Sequence, residues 1–418
     1  MKVAYFSPLP PKKTGIATYS LNLVPELAKR VDLHVFDAGI ETPPPFQGIP
    51  AFDFLADPER LIGLDDYGAL LYHIGNNPRY HLDIYKVLLR RPGVVVLHDT
   101  VLYFLAAGLG RGGWIKEFCR NYGLDRLDEV WDLLDRHRCS DIVCYESPER
   151  FPFLRRTLSA ATAVIVHSRT SADIVRSAGF EGKVHVVEHL IYPDQMRRCL
   201  EGWDPRKLRK KHGIDEDELL IGCFGFIVRT KRIPSVLKAL ACLEDRVKFK
   251  LLVVGEGEDM REEISRNGLE GETIRTGFVD DEAFNRYLAL TDIVVNLRYP
   301  SMGETSGTLV QSMAYGKPCI VTDHAWFSEL PDECVRKIGY GKEEVEQLVQ
   351  GLGELAFDPD LRNRMGRRAK EYVEISCTPA RIARRYHEVL EQTVRETDWV
   401  RSYLLERMAA VLPGSGQG

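Results

Sequence analysis

Short, continuously apolar segments alternate with amphipathic segments along this chain, and that alternation restricts the fold more than any other feature. Strands that are apolar at every position suit a sheet covered on both faces, as parallel sheets are by the helices between their strands. The sequence therefore predicts an α/β fold with parallel sheets. The predicted strands are Lys2–Ser7, Asp32–Asp37, Ala69–Ile74, Val94–His98, Ala163–His167, Val184–His189, Leu219–Phe226, Phe249–Val254, Thr273–Phe278, Asp292–Leu297, Cys319–Thr322 and Val335–Ile338.

The pattern divides into two halves. A polar connector of mixed charge, Asp194–Glu218, separates the first six predicted strands from the rest. The 418 residues are enough for two domains with separate cores. We therefore predict two Rossmann-like domains, residues 1–190 and 191–392, that face each other across a cleft and bind ligands at the carboxyl ends of their strands. Residues 413–418 are predicted to be disordered.

Composition excludes several classes of protein. A net charge of −5 argues against a general nucleic-acid binder, which carries a basic excess. The nine cysteines are scattered without Cys-x-x-Cys pairs, which indicates reduced thiols and neither a disulfide framework nor a metal site. The chain enters a strand at its first residues, and no apolar run reaches the roughly 18–20 residues of a membrane span. We therefore expect a cytoplasmic protein without a metal or cofactor.

The segment Arg298–Pro318 carries the strongest functional signal. It leads from a strand through a loop of small and hydroxylated residues into a short helix. Free backbone N–H groups and the dipole of such a helix favour an anion, which indicates phosphate at Ser306, Gly307 and Thr308. A carboxylate beside phosphate is repelled, so Glu304 needs another purpose, such as hydrogen bonding to neutral hydroxyls. Phosphate and hydroxyl groups together are what a nucleotide-sugar presents.

This segment resembles the donor-binding signature of retaining glycosyltransferases with the GT-B fold, of the family 4 or group 1 type. Glu304, Gly307 and the run Ser312–Pro318 match that signature. Gln311 stands where the family has a second Glu, and it lies one residue closer to Glu304 than that Glu does. Since the second Glu binds ribose hydroxyls in the family, the resemblance places Gln311 at the ribose, as a neutral hydrogen-bonding group.

The resemblance also implies an architecture and a reaction. A C-terminal helix, residues 393–412, is expected to cross back and pack on the N-terminal domain. The reaction implied is retaining, metal-independent hexosyl transfer from a UDP- or GDP-type sugar, with the donor as co-substrate and no cofactor. Glu304 would hold the hydroxyls of the donor sugar.

Three further loops follow strands at positions where the family binds its donor. The loop after Leu219–Phe226 carries Lys231 and Arg229, which would bind the diphosphate by point charge and forked donors. Gly15 precedes a helix and would let the backbone approach the donor phosphates. Phe278 and Val279 would bracket the nucleotide base.

Polar residues at two strand ends of the first half are candidates for sugar contacts. His98 and Asp99 end a buried strand, where they could act as a base and its orienting partner, or as a pH-sensitive pair. The resemblance instead places His98 against the distal side of the donor sugar. Asn76, Asn77 and His81 end a neighbouring strand, and with Asp99 they form the predicted acceptor side.

The sequence thus predicts a glycosyltransferase that moves a sugar from a nucleoside diphosphate to a glycan or lipid-linked hydroxyl acceptor. The expected context is polysaccharide, glycolipid or cell-envelope glycan synthesis. Glu304, His98 and Lys231 are the predicted catalytic residues. The alternatives are a nucleotide-sugar epimerase of the same fold, an inverting transferase with His98 or Asp99 as base, and a non-catalytic nucleotide-sugar-binding subunit. A dehydrogenase is disfavoured, because no Gly-x-Gly-x-x-Gly follows the first strand.

One segment bears on membrane contact. Glu149–Arg156 combines two phenylalanines with three arginines. Such a segment can lie on the inner face of an anionic membrane that holds a lipid-linked acceptor, or it can be a solvated linker into the next strand. Both interpretations follow from its composition.

Overall fold

Two parallel sheets, one in each half of the chain, organise the fold. The computed structural model describes residues 1–40, 46–136 and 145–411. They form two units. Unit 1 comprises Met1–His167, Ser171–Val187 and the chain from Ala380, and unit 2 comprises Ser168–Thr170 and Glu188–Pro379.

The sheet of unit 1 has seven parallel strands in the order β3-β2-β1-β4-β5-β6-β7. The order reverses between β1 and β4, and ligands of doubly wound sheets bind beyond the strand ends at such a reversal. The short edge strand β3 was absent from the sequence prediction; its three residues are only partly buried, so they leave little apolar signal. The strands are β1 Lys2–Phe6, β2 Asp32–Asp37, β3 Ala51–Asp53, β4 Ala69–Ile74, β5 Gly93–Leu97, β6 Ala161–Val166 and β7 Lys183–Val186.

The sheet of unit 2 has six parallel strands in the order β10-β9-β8-β11-β12-β13, with its reversal between β8 and β11. Alternate residues of one strand enter separate cores: Leu252 and Val254 pack in one cluster, Leu251 and Val253 in another. Burial on both faces explains why the strands are apolar throughout. The strands are β8 Leu219–Phe224, β9 Phe249–Val254, β10 Thr273–Gly277, β11 Ile293–Asn296, β12 Cys319–Thr322 and β13 Val335–Ile338.

Helices connect the strands and cover the sheets. Several begin at a residue whose side chain accepts a backbone N–H, such as Thr14 and Ser306, which satisfies a donor at the helix end. The helices are α1 Gly15–Ala28, α2 Pro78–Leu88, α3 Tyr103–Ala107, α4 Gly110–Tyr122, α5 Leu127–Arg136, α6 Leu154–Ser159, α7 Arg169–Ser177, α8 Pro193–Leu200, α9 Pro205–Lys211, α10 Ile233–Ala241, α11 Arg261–Arg266, α12 Asp281–Leu290, α13 Gly307–Ala314, α14 Glu344–Phe357, α15 Pro359–Ser376 and α16 Pro379–Val411.

The C-terminal helix joins unit 1 earlier than predicted. The sequence assigns residues up to 392 to the second domain, whereas the structure groups the chain from Ala380 with unit 1. The reason is the apolar face of α16, since Ile382, Ala383, Tyr386, Val389 and Leu390 are buried at helical spacing. The predicted tail 413–418 lies outside the described residues.

Two other segments differ from the sequence predictions. The connector Asp194–Glu218, predicted only as a polar link between the two halves, contains α9 and most of α8. In the basic segment Glu149–Arg156, Phe151 and Phe153 are each 3% exposed and pack against the aromatic rings of α4. Those phenylalanines are therefore core residues, and the prediction that this segment presents aromatics to a membrane is wrong. Among the described residues, no helix is long and apolar enough to cross a membrane.

Candidate functional site

The reversal point of unit 2 holds the residues with the strongest sequence signal. The loop after β8 carries Lys231 in a short 3₁₀ turn, Arg229–Lys231. The loop after β11 carries Glu304 and enters α13. Because β8 and β11 are adjacent in the sheet, these two loops leave the same edge side by side.

The two loops are drawn together around Gly225. A Cβ built on this glycine would lie 2.8 Å from Nζ of Lys231 and 3.4 Å from Oγ1 of Thr308. The backbone of Gly225 also has a φ of 90°, which favours glycine. Lys231 and the first turn of α13 therefore meet beside Gly225, and their binding of a diphosphate stays a prediction.

The Lys231 ammonium is held without a partnering carboxylate in its own loop. It donates a hydrogen bond to the carbonyl of Phe224. Burial, and then the charge of Arg298, lowers the pKa of Lys231 to about 7. Both causes disfavour a cation. An incoming anion would raise the pKa of Lys231 again, since it would place an opposite charge beside the ammonium.

The first turn of α13 is an organised helix N-terminus. Ser306 caps it by accepting the N–H of Leu309 at 3.2 Å, and the Asn296 side chain donates to the same hydroxyl at 3.2 Å. Gly307 begins the helix, and no acidic residue lies in its first turn. The free N–H groups there and the positive end of the dipole suit a phosphate.

Glu304 lies within a small hydrogen-bond network. Its Oε2 accepts from the backbone N–H of Met302 at 2.6 Å and from the hydroxyl of Ser301 at 3.1 Å. Its Oε1 lies 3.0 Å from Nε of Arg298. The carboxylate is thus held in place and paired with a cation, while its side chain keeps 18% of its surface exposed.

Gln311 is not placed where a ribose could reach its amide, which corrects the sequence prediction. Its Oε1 accepts from the N–H of Tyr192 at 3.0 Å, and its Nε2 donates to the carbonyl of Leu190 at 3.1 Å. The helix geometry explains this, because Gln311 lies one turn after Gly307 and shares its face. A Cβ on Gly307 would lie 3.2 Å from the ring of His189, so that face packs on the segment before α8.

Three other residues, Arg229, Phe278 and Val279, are predicted to contact the donor. Arg229 is exposed, and its backbone N–H binds Glu258. Phe278 is 48% exposed just after β10, while Val279 packs partly against the core of unit 2. Arg232, which follows Lys231, forms an ion pair at 2.6 Å with Glu344, whose side chain is 1% exposed.

The reversal point of unit 1 holds Gly15. This glycine is the first residue of α1, after the cap Thr14. A Cβ built on it would meet nothing within 4 Å, so packing does not require a glycine here. The open space around the start of this helix agrees with the prediction that a ligand approaches the backbone.

A file of three buried imidazoles lies behind the end of β5. His167 Nδ1 lies 2.8 Å from the carbonyl of Val187, so that nitrogen must carry the proton. His167 Nε2 then accepts from His98 Nδ1 at 3.3 Å, and His98 Nε2 accepts from His73 Nδ1 at 2.9 Å. Burial lowers the pKa of His167 to about 4 and that of His73 well below its usual value, so these two imidazoles are neutral.

This file changes how His98 can act. Both of its ring nitrogens bind neighbouring imidazoles, so neither is directed at a donor sugar in this structure. The same bonds argue against His98 as the base of an inverting reaction. Its contact with the donor stays a prediction, as does any part played by Asp99, which accepts the N–H of Asn76 at 2.8 Å.

The predicted acceptor residues are mostly occupied in local structure. Asn76 Oδ1 accepts the N–H groups of Phe104 and Leu105, and Asn77 Oδ1 caps α2. His81 is fully buried, and its Nδ1 lies 3.1 Å from the carbonyl of His73. These side chains shape the loop after β4, and whether they contact an acceptor stays a prediction. Within residues 1–40, 46–136 and 145–411, no group of three or more His, Cys, Asp or Glu is arranged to hold a metal ion.

Sequence reasoning missed Arg298. It begins the segment that carries the motif, and its partner Glu304 follows six residues later. A signal was present, since a carboxylate at an anion site requires a counter-charge. The choice of this arginine depends on how the loop folds back, which spacing alone does not determine.

The sequence is similar to those of known glycosyltransferases. The model of the family described as glycosyl transferases group 1 matches residues 204–372, which include the loops after β8 and β11. An N-acetyl-alpha-D-glucosaminyl L-malate synthase of Bacillus anthracis is 27% identical over 46% of this chain and 50% of its own length. The chain thus spans half the length of that relative. An uncharacterized glycosyltransferase of Methanocaldococcus jannaschii is 25% identical over 67% of this chain and 70% of its own length.

Solved structures share the architecture over nearly the whole chain. Anabaena Alr3699/HepE in complex with UDP has a TM-score of 0.63 at 16% identity, over 94% of this chain and 100% of that one. WaaG, a glycosyltransferase involved in lipopolysaccharide biosynthesis, has a TM-score of 0.62 at 15% identity, over 93% and 99%. Residues 204–372 are thus similar to the glycosyl transferases group 1, and the fold of the chain is that of the GT-B glycosyltransferases.

Proposed function

We propose that this protein transfers a sugar from a nucleoside diphosphate sugar to a hydroxyl acceptor, with retention of anomeric configuration. One observation carries the proposal: Lys231 and the N-terminus of α13 line the same space at the reversal point of unit 2, with Glu304 in the adjoining loop. A cation and free amides suit the diphosphate, and a fixed carboxylate suits the hydroxyls of the sugar.

The proposed chemistry is electrostatic. As the bond between the sugar and the diphosphate breaks, negative charge develops on the leaving oxygen. Lys231 and the N–H groups of α13 stabilise that charge from fixed positions, which lowers the barrier. Glu304 holds the donor sugar in place through its hydroxyls. Because these groups supply the charge, the proposed reaction needs neither a divalent metal nor a cofactor.

The donor is proposed from the structural neighbours. Anabaena Alr3699/HepE was crystallised with UDP, with UDP and glucose, and with UDP-glucose. UDP-sugars are therefore the first donors to test, with GDP-sugars as the second class. The proposed acceptor is a hydroxyl of a glycan or a lipid-linked sugar in polysaccharide, glycolipid or envelope glycan synthesis. The neighbour WaaG is involved in lipopolysaccharide biosynthesis.

The experiment is a panel of UDP- and GDP-sugars, screened by thermal shift and then incubated with the protein and simple hydroxyl acceptors. We expect one donor class to stabilise the protein and to yield a glycoside of unchanged anomeric configuration, with activity that survives a chelator. An epimerised sugar would establish the epimerase instead, and binding without turnover would establish a non-catalytic subunit. An inverted product would exclude retention.

Glu304→Ala provides the matched test of the site. We expect turnover to fall by about 100-fold or more while the protein still folds, since the substitution removes contacts to the reacting sugar. Glu282→Ala, in an exposed part of the same unit, is the control and should leave turnover unchanged. A folded Glu304→Ala protein with full turnover would contradict the assignment.

A further inference from the structure

The proposed site contains a carboxylate that opposes its own ligand. Glu304 is coupled electrostatically to Lys231, the residue proposed to bind the diphosphate. A carboxylate this close to a bound diphosphate would repel it in a partly buried site, where charges interact more strongly than in water. The site therefore needs a group that removes this repulsion and leaves the oxygens of Glu304 in position.

Arg298 has the geometry for that task. Its Nε lies 3.0 Å from Oε1 of Glu304, and its Nη1 donates to the hydroxyl of Thr230 at 3.0 Å. Its own backbone N–H binds the buried hydroxyl of Thr322 at the end of β12. The side chains of Arg298 and Glu304 are only 15% and 18% exposed, so water screens the pair weakly.

The backbone beside Arg298 is tied to the cation loop as well. The N–H of Tyr299 donates to the carbonyl of Thr230 at 2.8 Å. Arg298 and Tyr299 thus both contact the residue that precedes Lys231. One arginine therefore links the loop that carries the carboxylate to the loop that carries the lysine.

We propose that Arg298 is a positioning residue that neutralises Glu304, so that this carboxylate can lie beside the diphosphate of the donor. The inference rests on the proposed function and deepens it. Three groups act on Glu304 from the neighbouring strand ends: Arg298 after β11, Lys231 after β8 and His324 after β12. Arg298 alone among these three is both a permanent cation and in direct contact with the carboxylate.

A merely structural role for Arg298 makes a different prediction. If the arginine only holds the two loops together, its removal weakens nucleotide binding whether or not residue 304 is charged. If it acts by neutralising Glu304, a protein that lacks Arg298 regains nucleotide binding when the charge of Glu304 is removed as well. The two roles are therefore separated by a double substitution.

The experiment measures binding of UDP and of GDP by titration calorimetry to the full chain and to Arg298→Met, Glu304→Gln and the double variant. We expect Arg298→Met to weaken binding of the preferred nucleotide by ~10-fold or more, because it leaves a partly buried carboxylate unpaired. The double variant should return to within about threefold of the parent protein. UDP and GDP lack the sugar that the donor transfers, so contacts between Glu304 and that sugar do not contribute to this comparison.

A conservative variant supplies a second readout. Arg298→Lys, which keeps a cation, should bind more tightly than Arg298→Met and serves as the variant least exposed to folding defects.

The outcomes separate the inference from the function on which it rests. If the parent protein binds neither UDP nor GDP, the proposed function fails and this role of Arg298 fails with it. If the parent binds and the double variant is as weak as Arg298→Met, the proposed function stands and the neutralising role is wrong. Restored binding in the double variant supports both.

Discussion

Lys231 shows how burial prepares a single residue for an anion. Removal from water, followed by repulsion from Arg298, lowers its pKa to about 7 in the free protein. A bound diphosphate favours the charged form and raises this pKa. Binding above neutral pH must therefore be accompanied by uptake of a proton.

The first prediction concerns that proton. Near pH 8 the lysine of the free protein is mostly neutral, so UDP binding should take up close to one proton. Affinity should be level below a pH of about 7 and then fall by up to about tenfold per pH unit, until the pKa of the complex is reached. Calorimetry in buffers with different ionisation enthalpies measures the uptake. Lys231→Arg, which stays charged throughout, is the control, and equal uptake in both proteins would contradict the assignment.

Gln311 is the residue where the motif and the tertiary structure disagree. Its amide satisfies one N–H and one carbonyl of the segment before α8, and its side chain is 4% exposed. A glutamine suits this position because its amide accepts at Oε1 and donates at Nε2.

The second prediction is that Gln311→Glu destabilises the protein. A buried carboxylate could still accept from Tyr192 but would face the carbonyl of Leu190 without a proton to donate. We expect a loss of about 1–3 kcal/mol in the free energy of unfolding, less at low pH where the carboxyl is protonated. Denaturant unfolding measures it, with Gln47→Glu on the exposed surface as the control. Unchanged stability together with tighter donor binding would restore the ribose interpretation.

At the scale of elements, both units present a helix N-terminus at the point where the strand order reverses. In unit 1 this is α1, which begins at Gly15 after β1; in unit 2 it is α13, which begins at Gly307. The two glycines differ in one respect. Gly307 is crowded by His189, whereas Gly15 borders open space. Packing thus accounts for the glycine at 307 but not for the glycine at 15, where contact with a ligand stays a prediction.

The third prediction tests whether Gly15 is needed because a ligand approaches its backbone. Gly15→Ala should fold with equal stability, or up to about 1 kcal/mol more, because the new methyl group meets nothing and alanine favours a helix. Turnover should fall by ~10-fold or more, since a methyl group displaces the donor from its reactive position. Gly112→Ala, at an equally open position near the start of α4, is the matched control. Full turnover of Gly15→Ala would exclude a close approach of the ligand.

At the scale of the whole molecule, the last helix decides which residues make up unit 1. The hydroxyls of Tyr19 on α1 and Tyr386 on α16 lie 2.9 Å apart, and both side chains are fully buried. The ring of Tyr386 also stacks on that of His73, with the centroids 6.1 Å apart. Unit 1 is therefore incomplete without the chain from Ala380 onward.

The fourth prediction tests this dependence. Tyr386→Ala should lower the stability of unit 1 by about 3–5 kcal/mol, because it empties a fully buried site. Tyr386→Phe, which removes only the hydroxyl, should cost about 1 kcal/mol. Hydrogen exchange localises the loss, which we expect in the strands of unit 1 and not in those of unit 2. Arg384→Ala on the exposed face of α16 is the control, and an equal loss in both units would contradict the division.

The sequence alone determined the α/β class, most strand positions and the motif around Glu304. These depend on local order: apolar runs reflect burial on both faces of a sheet, and a Gly/Ser/Thr loop before a helix reflects its free N–H groups. Tertiary structure alone decided the partners of Arg298 and Gln311, the file of imidazoles around His98 and the residue at which the last helix joins unit 1. Those contacts join residues that are distant in sequence or folded back within a loop. Which residues form these contacts depends on distances of a few ångströms, and residue spacing does not encode such distances.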